Sequence, residues 1–169
     1  MKKPRTIVVT GASSGIGRRI AERQLEAGWR IIGLARSFSD FEHVDERFVT
    51  KSIDLADLLA IPDELTNLAR SYPEVTGVIC SAGAGQFGSL EEFSYSNIRT
   101  LIDLNLTSQV YVIRAFLPVL KRNGPGDIVI IGSEAALVGG AHGAVYSASK
   151  FGLRGLAQSL RAECASSGV

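Results

Sequence analysis

The sequence predicts an α/β fold in which a doubly wound parallel sheet lies between two layers of helices. Short β-branched runs alternate along the chain with segments of helical spacing, and the first run leads directly into a glycine-rich turn. No repeat or low-complexity segment interrupts this order. Because alternating strands and helices are joined by right-handed crossovers, the strands should be parallel and covered on both faces. A chain of 169 residues should form a single domain, residues 1–169.

The first half of the chain holds three strand patterns. "RTIVVT" is the first strand, and the turn after it leads into the helix "RRIAERQLEAG", whose Gly28 suits a helix C-cap. "WRIIGLA" is the second strand, and a third runs around Phe48 to Ile53. The segment "ADLLAIPDELTNLARS" has helical spacing, and its Pro62 marks either a break or a new first turn.

The second half continues the alternation. The fourth strand, "TGVIC", leads into the loop "SAGAGQFGS", and residues from about 95 to 122 have a long helical pattern. "GDIVIIGS" is the fifth strand and closes at Ser133. A glycine-containing loop then leads to a helix that carries Tyr146 and Lys150, which share one helical face because they are four residues apart.

Composition narrows the classes of function. The apolar fraction of 46% excludes disorder, and the balance of 18 basic and 17 acidic side chains gives no net field to attract nucleic acid or an anionic membrane. Because the charges balance, we expect a small-molecule partner. The N-terminal apolar run is too short for a signal peptide and no segment could span a bilayer, so we expect a cytoplasmic protein. Cys80 and Cys164 have no neighbouring Cys or His at metal-binding spacing, which predicts reduced, packed thiols and no metal site.

The segment "TGASSGIG" places Gly11, Gly15 and Gly17 between a strand and a helix. Glycines at this point let the backbone turn sharply and approach a pyrophosphate, while the amides at the helix start favour its negative charge. The alternative is that these glycines only allow tight packing of the strand on the helix. There is no Gly-Lys-Ser/Thr ending of a P-loop, which argues against a nucleoside triphosphatase. Because a strand precedes the turn and a helix follows it, we favour nucleotide binding over a packing role.

The end of the second strand should meet the ribose of a bound dinucleotide. An acidic side chain there would bond a ribose hydroxyl, whereas an arginine would accept a 2′-phosphate. Here the strand is followed by Arg36 and Ser37, so NADP(H) is favoured over NAD(H). Alternatively, Arg36 is a solvated loop residue and Asp40 contacts the ribose. Asp54, directly after the third strand, could bond the adenine amino group or serve as a helix N-cap.

Taken in order, these motifs resemble the short-chain dehydrogenase/reductase family. The likeness runs from "TGASSGIG" through "SAG" at Ser81, "LNLTS" at Asn105 and "GS" at Ser133 to "YSASK" at Tyr146, and covers nearly the whole chain. The resemblance implies a Rossmann-like domain that transfers hydride between a nicotinamide and a carbonyl or secondary alcohol. It implies two sets of residues: for catalysis, Asn105, Ser133, Tyr146 and Lys150; for cofactor binding, Gly11, Ser13, Ser14, Gly15, Ile16, Gly17, Arg36, Ser37, Asp54, Leu55, Ala82, Gly83, Tyr146 and Lys150.

The residue types suit this chemistry. Reduction of a carbonyl needs a proton donor at its oxygen, and the phenol of Tyr146 could be this donor. The ammonium of Lys150 would stabilise the phenolate that remains after Tyr146 has given up its proton. Ser133 could hold the substrate oxygen by a hydrogen bond. The resemblance further implies that Lys150 bonds the nicotinamide ribose and that Asn105 holds a water linking Lys150 to solvent. Each residue has a simpler alternative: Ser133 as a turn former, Asn105 as a helix irregularity and Tyr146 as a half-buried aromatic. Their joint occurrence in this order favours catalysis.

The chain departs from the family pattern in two places. The fourth strand is followed by "CSAG" where the family usually has Asn-Asn-Ala-Gly, so amides that tie neighbouring strands are lost and local stability should suffer more than binding. The chain also ends at "RAECASSGV", where the family enters a further strand and the segment that covers the substrate. We therefore expect a longer natural protein, and "DIVIIG" should here be an exposed apolar edge strand. The alternative function is a non-catalytic nucleotide-binding or interaction domain, or an inactive truncated member.

Two expectations concern surfaces. A set of loop residues should edge a mixed, mostly apolar substrate pocket: Gln86, Phe87, Leu137, Val138 and His142. We assign no proton-transfer role to His142, because the other residues leave no such role open. The helices around residues 95 to 122 and 146 to 166 resemble those that pair subunits in the family, so a homodimer or homotetramer is expected.

Overall fold

The computed structural model describes residues 4–39 and 45–169. The strands in these residues are β1 (Thr6–Thr10), β2 (Arg30–Ala35), β3 (Phe48–Ser52), β4 (Val75–Cys80) and β5 (Asp127–Ile130). They form one parallel sheet in the order β3-β2-β1-β4-β5, which confirms the predicted sheet. From β1 the chain first adds β2 and β3 on one side, and it then crosses back to add β4 and β5 on the other side of β1. In open sheets of this kind, ligands bind at the carboxyl ends of such strands.

Helices cover the sheet on both faces. In the described residues they are α1 (Gly15–Glu26), α2 (Ile61–Ser71), α3 (Tyr95–Ile102), α4 (Ser108–Asn123) and α5 (Ala144–Glu163). Pro62 lies in the first turn of α2, and Gly28 follows α1 with a φ of 86°, as expected of a residue just past a helix end. None of the helices in residues 4–39 and 45–169 is both long enough and apolar enough to cross a membrane.

The sheet has a hydrophobic core on each face, because successive strand residues point to opposite sides. On one face, Ile7, Val9 and Ile31 pack with Ala21 and Leu25 of α1. The larger core on the other face joins strand residues to α2 and α4 and includes Val8, Ile32, Leu34, Leu65, Val78, Ile113 and Phe116. The result is the predicted three-layer α/β/α arrangement.

The long helical pattern over residues 95 to 122 is not one regular helix. Asp103–Thr107 forms a π-helical turn between α3 and α4, in which the Ser108 amide bonds the Asp103 carbonyl. Such a turn inserts one extra residue into the helix and redirects the side chains around it. Asn105, a predicted site residue, lies inside this turn.

The fifth strand is shorter than predicted. It ends at Ile130 and not at Ser133, because the backbone leaves the sheet after the Ile131 amide bonds the Cys80 carbonyl. A short 3₁₀ turn, Glu134–Ala136, follows. β5 is the outer strand of the described sheet on the β4 side, and Val129 is 43% exposed there, as expected of an apolar edge strand.

Candidate active site

A cavity of about 760 Å³ opens at the carboxyl ends of the strands. Its lining comes from the glycine-rich turn, from the end of β2, from the segments after β2, β3 and β4, and from the π-helical turn: Gly11, Ser13, Ser14, Gly15, Ile16, Gly17, Ala35, Arg36, Ser37, Phe38, Ser39, Ile53, Asp54, Leu55, Ser81, Ala82, Gly83, Ala84 and Leu104. Apart from Tyr146 and Lys150, every residue that the sequence predicts for cofactor binding lies in this lining. The structure therefore gathers residues far apart in the chain around one space.

The glycine-rich turn folds tightly on itself at one side of the cavity. Gly11 has a φ of 66°, and a Cβ added to Gly17 would lie 2.4 Å from the Gly11 carbonyl oxygen, so both positions require glycine. The turn leads into α1, whose first turn contains no acidic residue. Within the described residues, the N-cap side chain of Ser14 makes no capping bond. The amides at the start of α1 are therefore available to an anion, and the residues present fit the diphosphate of a dinucleotide.

Arg36 and Ser37 lie in the cavity lining just past β2, and both are exposed. No carboxylate in residues 4–39 and 45–169 forms an ion pair with Arg36. The Ser37 hydroxyl accepts the Ser39 amide at 3.1 Å, which bends the loop beside the cavity. Asp40, the alternative contact for the ribose, lies outside the described residues.

Asp54 lies in the cavity lining directly after β3. Its carboxylate accepts the Ala56 amide at 3.0 Å and so closes a local turn. The alternative of a helix N-cap is wrong, because α2 begins only at Ile61. The adenine contact stays a prediction.

Asn105 is fully buried in the π-helical turn. Its Oδ1 accepts the Ala84 amide and its Nδ2 donates to the Ala84 carbonyl, each at 2.8 Å. The Nδ2 also donates to Ser149 Oγ at 3.3 Å. The carboxamide thus joins the loop after β4 to α5. Asn105, a predicted site residue, therefore also lies at a helix irregularity, the alternative that the sequence left open. The two roles are compatible, because π-helical turns frequently occur at functional sites.

Lys150 and Tyr146 lie next to the cavity wall on one face of α5. The Lys150 side chain is 7% exposed and its ammonium donates to the Ile131 carbonyl at 3.1 Å. Its Nζ lies 5.7 Å from the centroid of the Tyr146 ring, and a Cβ added to Gly83 would lie 3.9 Å from it. An ammonium has three N–H donors, so donors remain beyond the bond to Ile131. A buried positive charge is therefore within reach of both the phenol and the cavity.

Ser133 precedes the 3₁₀ turn after β5. Its Oγ accepts the Ala135 amide at 3.1 Å, which is the turn-forming role that the sequence left open. This bond uses an acceptor lone pair of the hydroxyl and leaves its O–H free to donate. Ile131, two residues earlier, holds Lys150, so the segment of Ser133 is tied to α5.

Ser149 is a buried residue that the sequence analysis did not assign to the site. Its hydroxyl donates to the Tyr146 carbonyl at 2.6 Å and accepts from Asn105 Nδ2. It therefore connects the first turn of α5 to the π-helical turn. Its position inside the motif "YSASK" could have indicated that it belongs to the site, but the sequence does not show where its side chain points.

Thr10 and Gln109 are two further buried polar residues that sequence reasoning missed. Thr10 Oγ1 accepts the amides of Ser81 and Ala82, each at 2.9 Å, and donates to Gln109 Oε1 at 3.3 Å. Gln109 Nε2 donates to the carbonyls of Ala82 and Leu104, at 3.2 and 3.3 Å. These bonds tie β1, the loop after β4 and the π-helical turn together, although the Asn-Asn pair of the family is absent. A glutamine among the apolar residues of the buried face of α4 was the only sequence signal.

The predicted edge of the substrate pocket is open. The side chains of Phe87, Leu137 and Val138 are 67%, 61% and 75% exposed, and the Phe87 ring centroid lies 5.4 Å from that of Tyr146. The two loops that carry them meet where the Gly88 amide donates to the His142 carbonyl at 2.8 Å. The Phe87 ring thus lies beside the candidate catalytic tyrosine.

Both cysteines are buried, as expected for packed thiols. Burial raises the pKa of the Cys80 thiol to about 12, so this thiol stays protonated at neutral pH. Among the described residues, no group of three or more His, Cys, Asp or Glu side chains is placed to hold a metal ion.

Comparison with known proteins decides the family. A family model described as short chain dehydrogenase matches residues 5–169. The chain belongs to the short-chain dehydrogenase family. The match includes the glycine-rich turn, the π-helical turn and α5, so the cavity and the Tyr146 helix both lie within the part that the family shares.

Solved short-chain dehydrogenases have the same fold. A metagenomic short-chain oxidoreductase in complex with NADP is 31% identical, with a TM-score of 0.89 over 98% of this chain and 77% of that chain. A 4-hydroxyisoleucine dehydrogenase complexed with NADH is 25% identical, with a TM-score of 0.88 over 97% of this chain and 71% of that chain. Similar structures therefore bind either nicotinamide cofactor.

Curated short-chain dehydrogenases differ in length from this chain. A 3-dehydrosphinganine reductase of Arabidopsis thaliana is 33% identical over 174 residues, which are 99% of this chain and 53% of the relative. A 2-dehydro-3-deoxy-L-rhamnonate dehydrogenase (NAD(+)) of a Sphingomonas strain is 33% identical over 98% of this chain and 68% of the relative. The chain thus spans about half of the plant relative and about two thirds of the bacterial one.

Proposed function

We propose that the protein is an oxidoreductase that transfers hydride between NADP(H) and a carbonyl or secondary alcohol, with Tyr146 as acid and base. The placement of Lys150 carries this proposal, because its ammonium is buried near both the Tyr146 ring and the Gly83 wall of the cavity. A buried charge is costly unless it is paired or serves a ligand. Membership of a dehydrogenase family supports the same class of reaction.

The cavity residues would hold the cofactor along the carboxyl ends of the strands. The amides at the start of α1 would bind its diphosphate. The other assigned contacts are Gly11, Ser13, Ser14, Gly15, Ile16, Gly17, Asp54, Leu55, Ala82 and Gly83, with Tyr146 and Lys150 at the catalytic end. A bound nicotinamide cofactor supplies or accepts the hydride.

Arg36 and Ser37 support a preference for NADP(H). The Arg36 guanidinium is exposed beside the cavity and has no carboxylate partner within the described residues. An arginine presents several fixed N–H donors, which suit the oxygens of a 2′-phosphate. Similar folds bind either NADP or NADH, so the fold by itself favours neither cofactor and the proposed preference rests on these two side chains.

The proton chemistry follows from the residues around Tyr146. Its phenol would donate a proton to the carbonyl oxygen in reduction, and its phenolate would accept a proton from the alcohol in oxidation. The Lys150 charge would stabilise the phenolate. The free O–H of Ser133 would hold the substrate oxygen. The bonds of Asn105 to Ala84 leave a second lone pair on Oδ1 for the water that would link Lys150 to solvent.

Titration and turnover measurements on the purified protein test this function. Fluorescence titration should give tighter binding of NADPH than of NADH. A panel of ketones and aldehydes should then oxidise NADPH in proportion to the protein added. Absence of binding by both cofactors would overturn the proposal. Binding without turnover of any carbonyl would favour the alternative, a non-catalytic nucleotide-binding domain, with which the open substrate side is also consistent.

We also propose that the chain assembles as a homodimer or homotetramer through α4 and α5. Phe151 of α5 is half-exposed, and a groove lined by residues of α2, α4 and α5 includes the apolar side chains of Val110, Leu117 and Leu160. Exposed apolar surface of this kind is typical of subunit interfaces. Sedimentation velocity should give a species of two or four chains, and a monodisperse monomer would contradict the proposal.

A further inference from the structure

We infer that His142 is a positioning residue that holds Phe87 beside Tyr146 and thereby favours carbonyl substrates with an apolar substituent. This inference rests on the proposed function. His142 lies in the loop before α5, whereas Phe87, Gly88 and Ser89 lie in the loop after β4. We call the contacts of His142 with Gly88 and Ser89 the latch.

The backbone of His142 has a conformation that residues with a side chain rarely adopt. Its φ is 60°, and within residues 4–39 and 45–169 it is the only residue other than glycine with a positive φ. Such a conformation is strained and persists only where surrounding contacts hold it. The latch supplies contacts of this kind, because it engages both the backbone and the side chain of His142.

The latch joins two loops that are distant in the chain. The Gly88 amide donates to the His142 carbonyl at 2.8 Å. The Ser89 hydroxyl lies 3.3 Å from Nδ1 of the same histidine. The Ser89 oxygen already accepts the Glu92 amide, so its O–H remains to donate to an unprotonated Nδ1. One residue thus holds two consecutive positions of the other loop.

The ring of Phe87 lies between these two loops. A Cβ added to Gly85 would lie 3.2 Å from Phe87 Cε2, and one added to Gly143 would lie 3.7 Å from Phe87 Cδ1. The ring centroid lies 5.4 Å from that of Tyr146. Because Phe87 directly precedes Gly88, loss of the latch would release the ring from this position.

The outer face of the Phe87 ring is available to a substrate. The side chain is largely exposed, and the carbonyl of a substrate would lie at the Tyr146 hydroxyl. A substituent of that carbonyl would then pack on the ring, which favours aromatic and other apolar groups. His142 would act on the substrate only through Phe87, so its role is positioning and not proton transfer.

Ser89→Ala and Ser94→Ala form a matched pair of variants. Each removes a side-chain cap, because Ser89 caps the 3₁₀ turn Leu90–Glu92 and Ser94 accepts the Asn97 amide at the start of α3. Only the first also removes a contact of the latch. Ser89→Ala should raise the KM for benzaldehyde about two- to tenfold, as expected for one lost hydrogen bond. The KM for acetaldehyde, whose methyl group is too small to cover the ring, and the Kd for NADPH should not change. Ser94→Ala should change none of these constants.

Two substitutions of His142 separate its side chain from its backbone. Glycine adopts a positive φ readily, so His142→Gly should lose only the contact with Ser89 and should behave like Ser89→Ala. Valine disfavours this conformation strongly, so His142→Val should also lose the bond from the Gly88 amide. Hydrogen exchange followed by NMR measures that amide without any turnover. The amide should exchange about tenfold faster in His142→Val than in His142→Gly.

A double variant tests whether His142 acts through Phe87. Phe87→Ala removes the ring, so the addition of His142→Gly should raise the KM for benzaldehyde no further. A full additional rise would show that His142 affects the substrate by another route, and it would overturn the positioning role.

The outcomes separate this inference from the proposed function. Ser89→Ala and His142→Gly proteins with the wild-type KM for benzaldehyde would overturn the inference and leave the proposed function intact. Reduction of acetaldehyde but not of benzaldehyde by the wild type would overturn the preference for apolar substituents. If the His142 variants fail to fold, the comparison of Ser89→Ala with Ser94→Ala decides alone. A wild-type protein that oxidises NADPH with no carbonyl compound would contradict the proposed function and, with it, this role of His142.

Discussion

Two parts of the candidate active site differ in how firmly hydrogen bonds hold their backbone. We call the cavity lining the cofactor side, and the loops that carry Phe87, Leu137 and Val138 the substrate side. On the cofactor side, buried side chains such as Thr10 and Gln109 bond the backbone of the lining loops. On the substrate side, Phe87, Leu137 and Val138 are largely exposed. The cofactor side is therefore preformed, whereas the substrate side offers apolar contact area without a closed pocket.

The position of each side in the sheet explains the difference. The hydrogen bonds of Thr10 and Gln109 hold the cofactor side at the ends of β1 and β4, central strands that are paired on both edges. The substrate side is formed by two loops: the loop after β4 carries Phe87, and the loop after β5 carries Leu137 and Val138. In the described sheet β5 pairs with a strand on one edge only. Substitutions on the two sides should therefore have separable effects on cofactor binding and on turnover.

Tyr146→Phe should abolish turnover and leave the cofactor side folded. The change removes only the phenolic hydroxyl, and loss of a positioned acid and base typically lowers kcat by about 10²- to 10⁴-fold. NADPH oxidation by a carbonyl substrate and NADPH titration would be measured on the same sample. Tyr111→Phe is the control, since Tyr111 packs against the larger core away from the cavity and should keep its activity. A kcat for Tyr146→Phe equal to that of the control would exclude Tyr146 as the acid and base.

Gly17→Ala should disrupt the cofactor side. The added Cβ would lie 2.4 Å from the Gly11 carbonyl oxygen, so the turn must move, which should lower the free energy of unfolding by about 1–3 kcal/mol. NADPH binding should be lost as well. Gly155→Ala on α5 is the control, because its Cβ meets no atom within 4 Å and should stabilise the helix by up to about 1 kcal/mol. Urea unfolding and NADPH titration measure both effects, and a Gly17→Ala protein with wild-type affinity would refute the tight-turn argument.

Arg36→Ala should change the choice between cofactors. Loss of a charged hydrogen-bonding partner for the 2′-phosphate should weaken NADPH binding by about ten- to a hundredfold, while NADH binding stays constant. Arg23→Ala removes an exposed arginine from the far end of α1 and should alter neither constant. An equal loss of affinity for NADPH and for NADH would show that Arg36 does not bind the 2′-phosphate.

Phe87→Ala should affect only the substrate side. Loss of the ring beside Tyr146 should raise the KM for an apolar carbonyl substrate by about three- to tenfold, because aromatic contacts contribute about 0.5–1.5 kcal/mol. The Kd for NADPH should not change. Leu59→Ala, at a side chain that is 96% exposed and outside the cavity lining, should change neither constant. A parallel rise in the NADPH Kd would mean that the two sides are not independent.

Much of the fold could be predicted because short runs of residue types indicate where its strands, helices and turns lie. The runs around Ile7, Ile31 and Val78 are apolar and β-branched, which suits strands buried on both faces. Glycines at positions 11 and 17 were identified correctly as a tight turn, because few other contexts place glycines directly between a strand and a helix. Many residues of the cavity lining were implied by the resemblance to the family.

Other features could not be predicted, because they depend on contacts between distant segments. The π-helical turn around Asn105 interrupts a sequence pattern that suits a continuous helix. Asp54 has the residue type of a helix cap, but the distance to α2 decided against that role. The direction of the Ser133 hydroxyl likewise depends on where the backbone leaves β5.

Spacing and residue type over a few neighbouring positions were therefore enough to predict the order of strands and helices and the resemblance to the family, and that resemblance implied many of the residues that line the cavity. The bond of Gln109 to Ala82 and the burial of Lys150 beside Tyr146 and Gly83 could be seen only in the folded chain. Buried polar groups must find partners wherever the fold brings donors and acceptors together, and those partners lie far apart in the chain.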